Sequence, residues 1–389
     1  MTDIKGSFAP GYEPVAEAFA RAFVGRPRMG AALAIRRDGV EIVNMWGGLA
    51  DARTGARWTK ETASVVFSCT KGLVSILAAQ LVEAGRLDYD APVARYWPEF
   101  AAAGKAEITV GQLLAHQAGL SAPSTSLSFD DILDWDLVTA RLAQQAPLWP
   151  PGTGYGYHAL THGWLAGELI RRVTGQPIGR VFADQVAATL GADAWIGLPA
   201  DHTGPIAHLE VAPNLGDLWS TEAALDSDAT PNWPYRAMTL GAALPPALVT
   251  HDGGFNDRRL QSAAIPGAGG IATASALAAI WSATVTPTEG VRLLSSDTVH
   301  RATRTVTEGA PVFPAPPPYS RWGMGFQLDS EARRYLSADS FGHDGAGGQS
   351  GFADPHHRIG FGFVTNWMEA GEDPRAKAIT EALRRTLGL

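Results

Sequence analysis

Phe67-Ser68-Cys69-Thr70-Lys71-Gly72 runs straight into Leu73-Val74-Ser75-Ile76-Leu77-Ala78-Ala79-Gln80-Leu81-Val82. The second run has helical apolar spacing, so the first stretch opens a buried helix. A Ser and a Lys three residues apart at a helix start share one face, about one turn apart. That spacing sets a nucleophile within reach of a candidate base. Unpaired backbone N–H groups at the helix N-terminus carry positive potential, which suits an oxyanion beside Ser68. For an isolated match the competing account is plain: Ser68 as an N-cap and Lys71 as a solvated first-turn residue. Cys69, the single cysteine of the chain, reads as a small packing residue on a helix entering the core.

Upstream, Tyr12 to Val24 has the apolar spacing of an amphipathic helix that Gly25 and Pro27 end. Two apolar strands, Gly30 to Ile35 and Val40 to Trp46, flank Arg36-Arg37-Asp38-Gly39, and Asp-Gly between such runs signals a hairpin. Val65-Val66-Phe67 leads into Ser68. Downstream the chain turns helical: the Ser68 helix to about Gly85, then Thr109 to Gly119, Asp131 to Ala143, Leu160 to Val173 and Ile178 to Leu190. Thr203 to Asp257 has no sustained period and reads as irregular structure walling a cleft. Ser275 to Val285 reads as a helix capped by Ser275. Past the proline-rich loop Pro311 to Pro318, short strands are expected at Trp322–Leu328, Ser340–His343, Gly351–Asp354 and Arg358–Trp367, and Pro374 opens a last helix. Strands at both ends and helices between them predict an α/β (α+β) fold. Its antiparallel sheet domain, 1–85 with 295–389, receives a mainly helical insert, 86–294, and the active site lies at their junction.

With 389 residues, 46% of them hydrophobic, the chain can bury a large core. A charged fraction of 18% and a net charge of −8 speak against nucleic-acid or anionic-membrane partners. One cysteine rules out an internal disulfide framework and fits a reducing compartment. The opening Met1-Thr2-Asp3-Ile4-Lys5-Gly6-Ser7 has no basic region followed by an apolar run. No leader or transmembrane span is therefore expected, and the expected location is cytoplasmic.

Two more motifs bear on Ser68. In Pro150-Pro151-Gly152-Thr153-Gly154-Tyr155-Gly156-Tyr157-His158-Ala159, prolines and glycines make a turn just before a helix. A Tyr held there can point into a cleft and move protons, although a core tyrosine is the commoner fate. In Phe341-Gly342-His343-Asp344-Gly345-Ala346-Gly347-Gly348, glycines on an edge strand let a substrate approach the backbone, where a main-chain N–H can complete an oxyanion hole.

Taken in order, Ser68-x-x-Lys71, Tyr157 before a helix and His343-x-Gly345 on a late strand resemble the serine β-lactamase-like superfamily. The likeness is closest to its class C branch and to the related family VIII carboxylesterases. Ile108 to Leu120 and Gly269-Gly270-Ile271-Ala272-Thr273 add to it, and it extends from about Ala31 to the C-terminus. The resemblance implies Ser68 as acylated nucleophile, Lys71 as proton acceptor, and Tyr157 as relay to the leaving group. It also implies an oxyanion hole formed by the N–H groups of Ser68 and Ala346. A free lysine titrates near 10.4, so Lys71 can serve as a base only if burial or nearby charge depresses it. Sequence leaves open whether Lys71 or Tyr157 is the base in each step.

The departures from the pattern direct the functional reading. Where the β-lactamase pattern has Tyr-x-Asn, this chain has Tyr157-His158-Ala159; in place of Lys-Thr-Gly it has His343-Asp344-Gly345. An Asn that would bond an acylamide, and a Lys and Thr that would bond a carboxylate, are thus replaced. Such a site favours neutral esters, so a carboxylesterase is the first reading, with a small-molecule ester as partner and no cofactor. A β-lactamase or D-alanyl peptidase, an amidase for short linear amides, and a non-catalytic scaffold are the alternatives. His343, Asp344 and Gly345 are candidate substrate contacts, His343 weighed against a structural hydrogen bond and Asp344 against a turn-closing role. His158 and His162, four apart, and the adjacent His356-His357 read as structural, as does His116, and no metal is expected. No Gly-x-Ser-x-Gly elbow is present. Some tryptophans of the 203–257 segment are candidates to line an apolar pocket. Oligomeric state is not legible.

Overall fold

The computed structural model describes residues 2–389 apart from 228, 242, 371 and 372. From the start of the chain come β1 (Ile4–Phe8), helix α1 (Glu13–Arg21), β2 (Gly30–Arg37), β3 (Val40–Asp51) and the short β4 (Ala56–Arg57). Asp38 and Gly39 turn the β2–β3 hairpin at φ 54° and 81°, the positive-φ backbone that a two-residue hairpin loop requires. Late in the chain come β5 (Arg321–Trp322), β6 (Gln327–Leu328), β7 (Phe341–Asp344), β8 (Ser350–Asp354) and β9 (Ile359–Thr365). All nine strands join one sheet in the order β1-β3-β2-β9-β8-β7-β6-β5, with β4 on β3. The two ends of the chain meet at the antiparallel β2–β9 pairing, Leu33 opposite Phe363. The expected mixed fold with an antiparallel sheet is what forms.

Both faces of the sheet are covered. On one, α1 and the last helix, whose range is Pro374–Leu387, pack over Leu33, Ile35, Phe361 and Phe363. On the other lie Ala32, Ala34 and Val364, against the core that holds α2 (Cys69–Glu83) and the helix Ala274–Val285. The period of two along β2 and β9 assigns alternate side chains to these two cores. Thirteen of the fifteen α2 residues are buried, so this helix has no solvated face for Lys71 to use. Between β4 and β5 the chain is mainly helical, including α3 (Thr161–Thr174). Among the described residues no helix is long and apolar enough to cross a membrane.

Three local expectations are corrected. The 203–257 segment is not irregular throughout: it contains the helices Pro213–Ala224 and Trp233–Thr239, while positions 228 and 242 lie outside the described residues. The first of these buries only Leu215, so it lacks the apolar stripe by which helices are read. The 131–143 stretch is two helices, Phe129–Leu133 and Trp135–Gln144. Asp134 separates them, leaving helical geometry to accept the Leu137 N–H. The helix Ala274–Val285 is capped by Thr273, not Ser275. The Thr273 side chain takes the Ala276 N–H, whereas the Ser275 hydroxyl donates to Glu41 Oε2 at 2.6 Å.

Candidate active site

Ser68 stands immediately before α2, behind Phe67, a buried residue held at φ 45°. A bulky non-glycine residue in left-handed backbone is strained, and the surrounding core must hold it there. Phe255 meets the Phe67 ring edge-on at 5.2 Å. The Ser68 hydroxyl makes no capping hydrogen bond, contrary to the simple N-cap account. No backbone or side-chain acceptor among the described residues takes the N–H of Ser68 or of Ala346.

Lys71 is fully buried. Its Nζ donates to the carbonyls of Ala159, at 2.5 Å, and Gly267, at 2.7 Å, and stands 3.0 Å from Ser68 Oγ. No carboxylate pairs with it in these contacts, so burial dominates and pushes its pKa well below the ordinary lysine value. Tyr157 lies beside both groups: Lys71 Nζ is 4.8 Å from its ring centre, and the Ser68 hydroxyl is near enough to act on its phenol. Burial raises the Tyr157 phenol above its usual value, partly offset by the Ser68 hydroxyl. The candidate base and the candidate relay are thus displaced in opposite directions, each toward its neutral form.

The histidines around this pair are structural and neutral. His158 Nδ1 donates to the Gly156 carbonyl at 2.6 Å and Nε2 accepts the Leu120 N–H. Burial holds its pKa down to about 4. His116 accepts the His158 N–H, and His162 donates to the Leu114 carbonyl. Burial keeps both well below the usual histidine value, helped by neighbouring His162 for His116 and by Lys71 for His162.

The β7 strand delivers the third motif. Cys69 packs as expected, its thiol donating to the His343 carbonyl at 3.1 Å. His343 Nδ1 donates to the Asp344 carbonyl at 2.8 Å, and burial followed by the Lys71 charge lowers its pKa to about 3. A Cβ on Gly345 would meet the Val66 carbonyl at 2.5 Å, so glycine there lets β7 run against the chain that leads into Ser68. Asp344 has a partner no motif announced: Arg333 Nε lies 2.7 Å from Asp344 Oδ2. Burial raises the Asp344 carboxyl, and the Arg333 guanidinium opposes that rise. Trp322, also without a motif, stacks on Tyr157 with ring centres 5.4 Å apart.

Ser68, Tyr157, His343, Asp344, Gly345 and Ala346 all border one cavity of about 860 Å³. Trp219 and Trp233 of the 203–257 segment line it too, and among the described residues its charged lining is Glu222 and Asp344.

A family model described as Beta-lactamase matches residues 16–385. The chain is 34% identical over 367 residues to Esterase/beta-lactamase LipL of Mycobacterium tuberculosis (strain ATCC 25618 / H37Rv), covering 93% of this chain and 82% of that protein. Among solved structures it resembles a family VIII carboxylesterase, with TM-score 0.86 and 35% identity over 99% of this chain and 100% of that one. It also resembles a penicillin-binding protein homologue from Caulobacter crescentus, with TM-score 0.83 and 34% identity over 99% and 100% of the two chains.

Proposed function

The chain belongs to the Beta-lactamase family, and from that premise we propose that it is a serine carboxylesterase acting through an acyl-enzyme on Ser68. The carrying observation is the Lys71 environment. A neutral amine has two N–H groups and one lone pair. Two carbonyls, Ala159 and Gly267, take the N–H groups, which leaves the lone pair for Ser68 Oγ at 3.0 Å.

Lys71 then takes the hydroxyl proton as Oγ bonds to the ester carbonyl carbon. Charge developing on the carbonyl oxygen is met by the N–H groups of Ser68 and Ala346. As the C–O bond breaks, the proton held on Lys71 passes through Tyr157 to the departing alkoxide, giving a neutral alcohol and the acyl-enzyme. Water reverses the sequence: it loses a proton to the same pair, attacks the acyl carbon and releases Ser68 and the acid. Lys71 is the acceptor in this scheme because burial favours its unprotonated form, and Tyr157 is the relay because burial keeps its proton on.

Esters are favoured over β-lactams by charge. A substrate carboxylate entering the cavity meets Glu222 and finds no cation among the described lining residues. The names of the relatives point both ways, to esterase and to β-lactamase, so slow β-lactam turnover is the second reading. Labelling with a fluorophosphonate probe tests the nucleophile. One adduct mapped by peptide mass to Ser68, absent from a folded Ser68→Ala variant, supports the proposal; an adduct elsewhere sinks it.

A further inference from the structure

The cavity is far larger than an acetyl group needs, and it falls within the range of clefts that enclose ring-bearing ligands. Its walls are aromatic side chains already held in place. Phe313, on the proline-rich strap 311–318, meets Trp149 edge-on with ring centres 5.6 Å apart. The strap is tied to the segment that carries Tyr157: Val312 N–H donates to the Tyr155 carbonyl, and the Tyr155 hydroxyl donates to the Gly309 carbonyl, both at 2.8 Å. The two helices overlooked in the sequence supply a further wall. Asn232 caps Trp233–Thr239 by accepting the Tyr235 N–H, and its amide donates to Glu222 Oε2 at 2.9 Å, joining that helix to Pro213–Ala224. Trp219 and Tyr235 come together at 6.1 Å across this joint.

We propose that this cleft selects esters carrying a bulky, uncharged aromatic group, which seats against Phe313, Trp219 and Trp233; the inference rests on the esterase reading above. Rings fixed before binding lose little conformational freedom on contact with the substrate, and planar faces reward a planar partner over a flexible chain. Leu218, 46% exposed on the helix Pro213–Ala224, and Val312, 38% exposed on the strap, extend the apolar surface beyond the rings. The same walls bear Glu222, while the charge of Asp344 at the reactive end is balanced by Arg333, so a carboxylate on the substrate is repelled at the Glu222 wall and meets no cation among the described lining residues.

The test compares kcat/KM for ethyl acetate, ethyl phenylacetate, phenethyl acetate, octyl acetate and a monoethyl dicarboxylate. At least one aromatic ester is expected to exceed ethyl acetate by about tenfold or more, as filling a matched apolar pocket does. The dicarboxylate is expected to be the poorest. The ratio of the better aromatic ester to ethyl acetate should fall several-fold in Phe313→Ala and, separately, in Trp219→Ala. Binding of phenethyl acetate to Ser68→Ala, followed by tryptophan fluorescence, reads the pocket without turnover and should weaken when Phe313→Ala is added. Ser68-dependent hydrolysis of ethyl acetate with no aromatic advantage, or with octyl acetate the best substrate, overturns this inference and leaves the esterase reading standing. Aromatic-ester binding to Ser68→Ala, with no ester hydrolysed by the wild type, overturns the esterase reading instead.

Discussion

Gly163 and Gly267 meet backbone to backbone: a Cβ on Gly163 would overlap the Gly267 nitrogen. This contact presses the 266–267 loop against α3, and each side of it carries one carbonyl that holds Lys71, Ala159 just before α3 and Gly267 itself. Packing of two glycines thereby sets the position of the candidate base.

Gly163→Ala should therefore act on the reaction at a distance. The added methyl displaces the loop and costs about 1–3 kcal/mol of stability, as overpacking does. A displacement near 1 Å at Lys71 lowers kcat by about 100-fold. Urea unfolding and steady-state rates on the folded variant check both numbers. A destabilised variant with wild-type kcat would show that the contact is structural only.

On the proposed mechanism the acid limb of activity should belong to Lys71. Its pKa is lowered by burial, so the unprotonated base is present above that depressed value, and kcat/KM falls as pH drops through it. Lys71→Arg stays charged at every accessible pH and should lose about 10²–10⁴-fold in kcat/KM. A pH–rate profile in which the same limb persists in Lys71→Ala would remove the lysine from the role.

Stability should fall on the acid side for a separate reason. His158 and His343 titrate near 4 and near 3 in the folded chain, against an ordinary 6.5. The unfolded chain takes up these protons first, so their contribution is complete above about 6.5 and is lost as pH falls through the folded values. Each such histidine adds a slope of about 1.4 kcal/mol per pH unit within that window. Urea midpoints at pH 7.5, 6 and 5 measure it, and His158→Gln should flatten the curve. An unchanged slope in that variant contradicts the assignment.

Arg333 holds Asp344 on β7, and Arg333→Met leaves the carboxylate without its cation. Because Asp344 is partly exposed, a loss of about 2 kcal/mol is expected, smaller than for a fully buried pair. Adding Asp344→Asn should restore part of it. A double-mutant cycle in urea gives the coupling, and strict additivity would argue that the pair does not interact.

Much of the scaffold was readable because local chemistry decides it. Asp38-Gly39 demanded its hairpin, the Ser68–Lys71 spacing put two groups on one turn, and the strand runs at both ends of the chain announced a sheet. What escaped had no local signature. The helix Pro213–Ala224 turns its large side chains toward a cleft instead of a core, so it shows no apolar period. Arg333 lies eleven positions before Asp344, and only the fold brings them together. Trp322 and the carbonyls of Ala159 and Gly267 shape the candidate site through position alone. The low pKa of Lys71 likewise depends on its burial by segments distant in the chain, which Ser-x-x-Lys does not encode.

The most direct test of the account is a paired steady-state assay of p-nitrophenyl butyrate and nitrocefin on the wild type and Ser68→Ala. The account predicts efficient ester turnover that disappears in Ser68→Ala, with nitrocefin turned over slowly or not at all by either protein. Nitrocefin hydrolysed as efficiently as the ester, or ester turnover surviving the loss of Ser68, would contradict it.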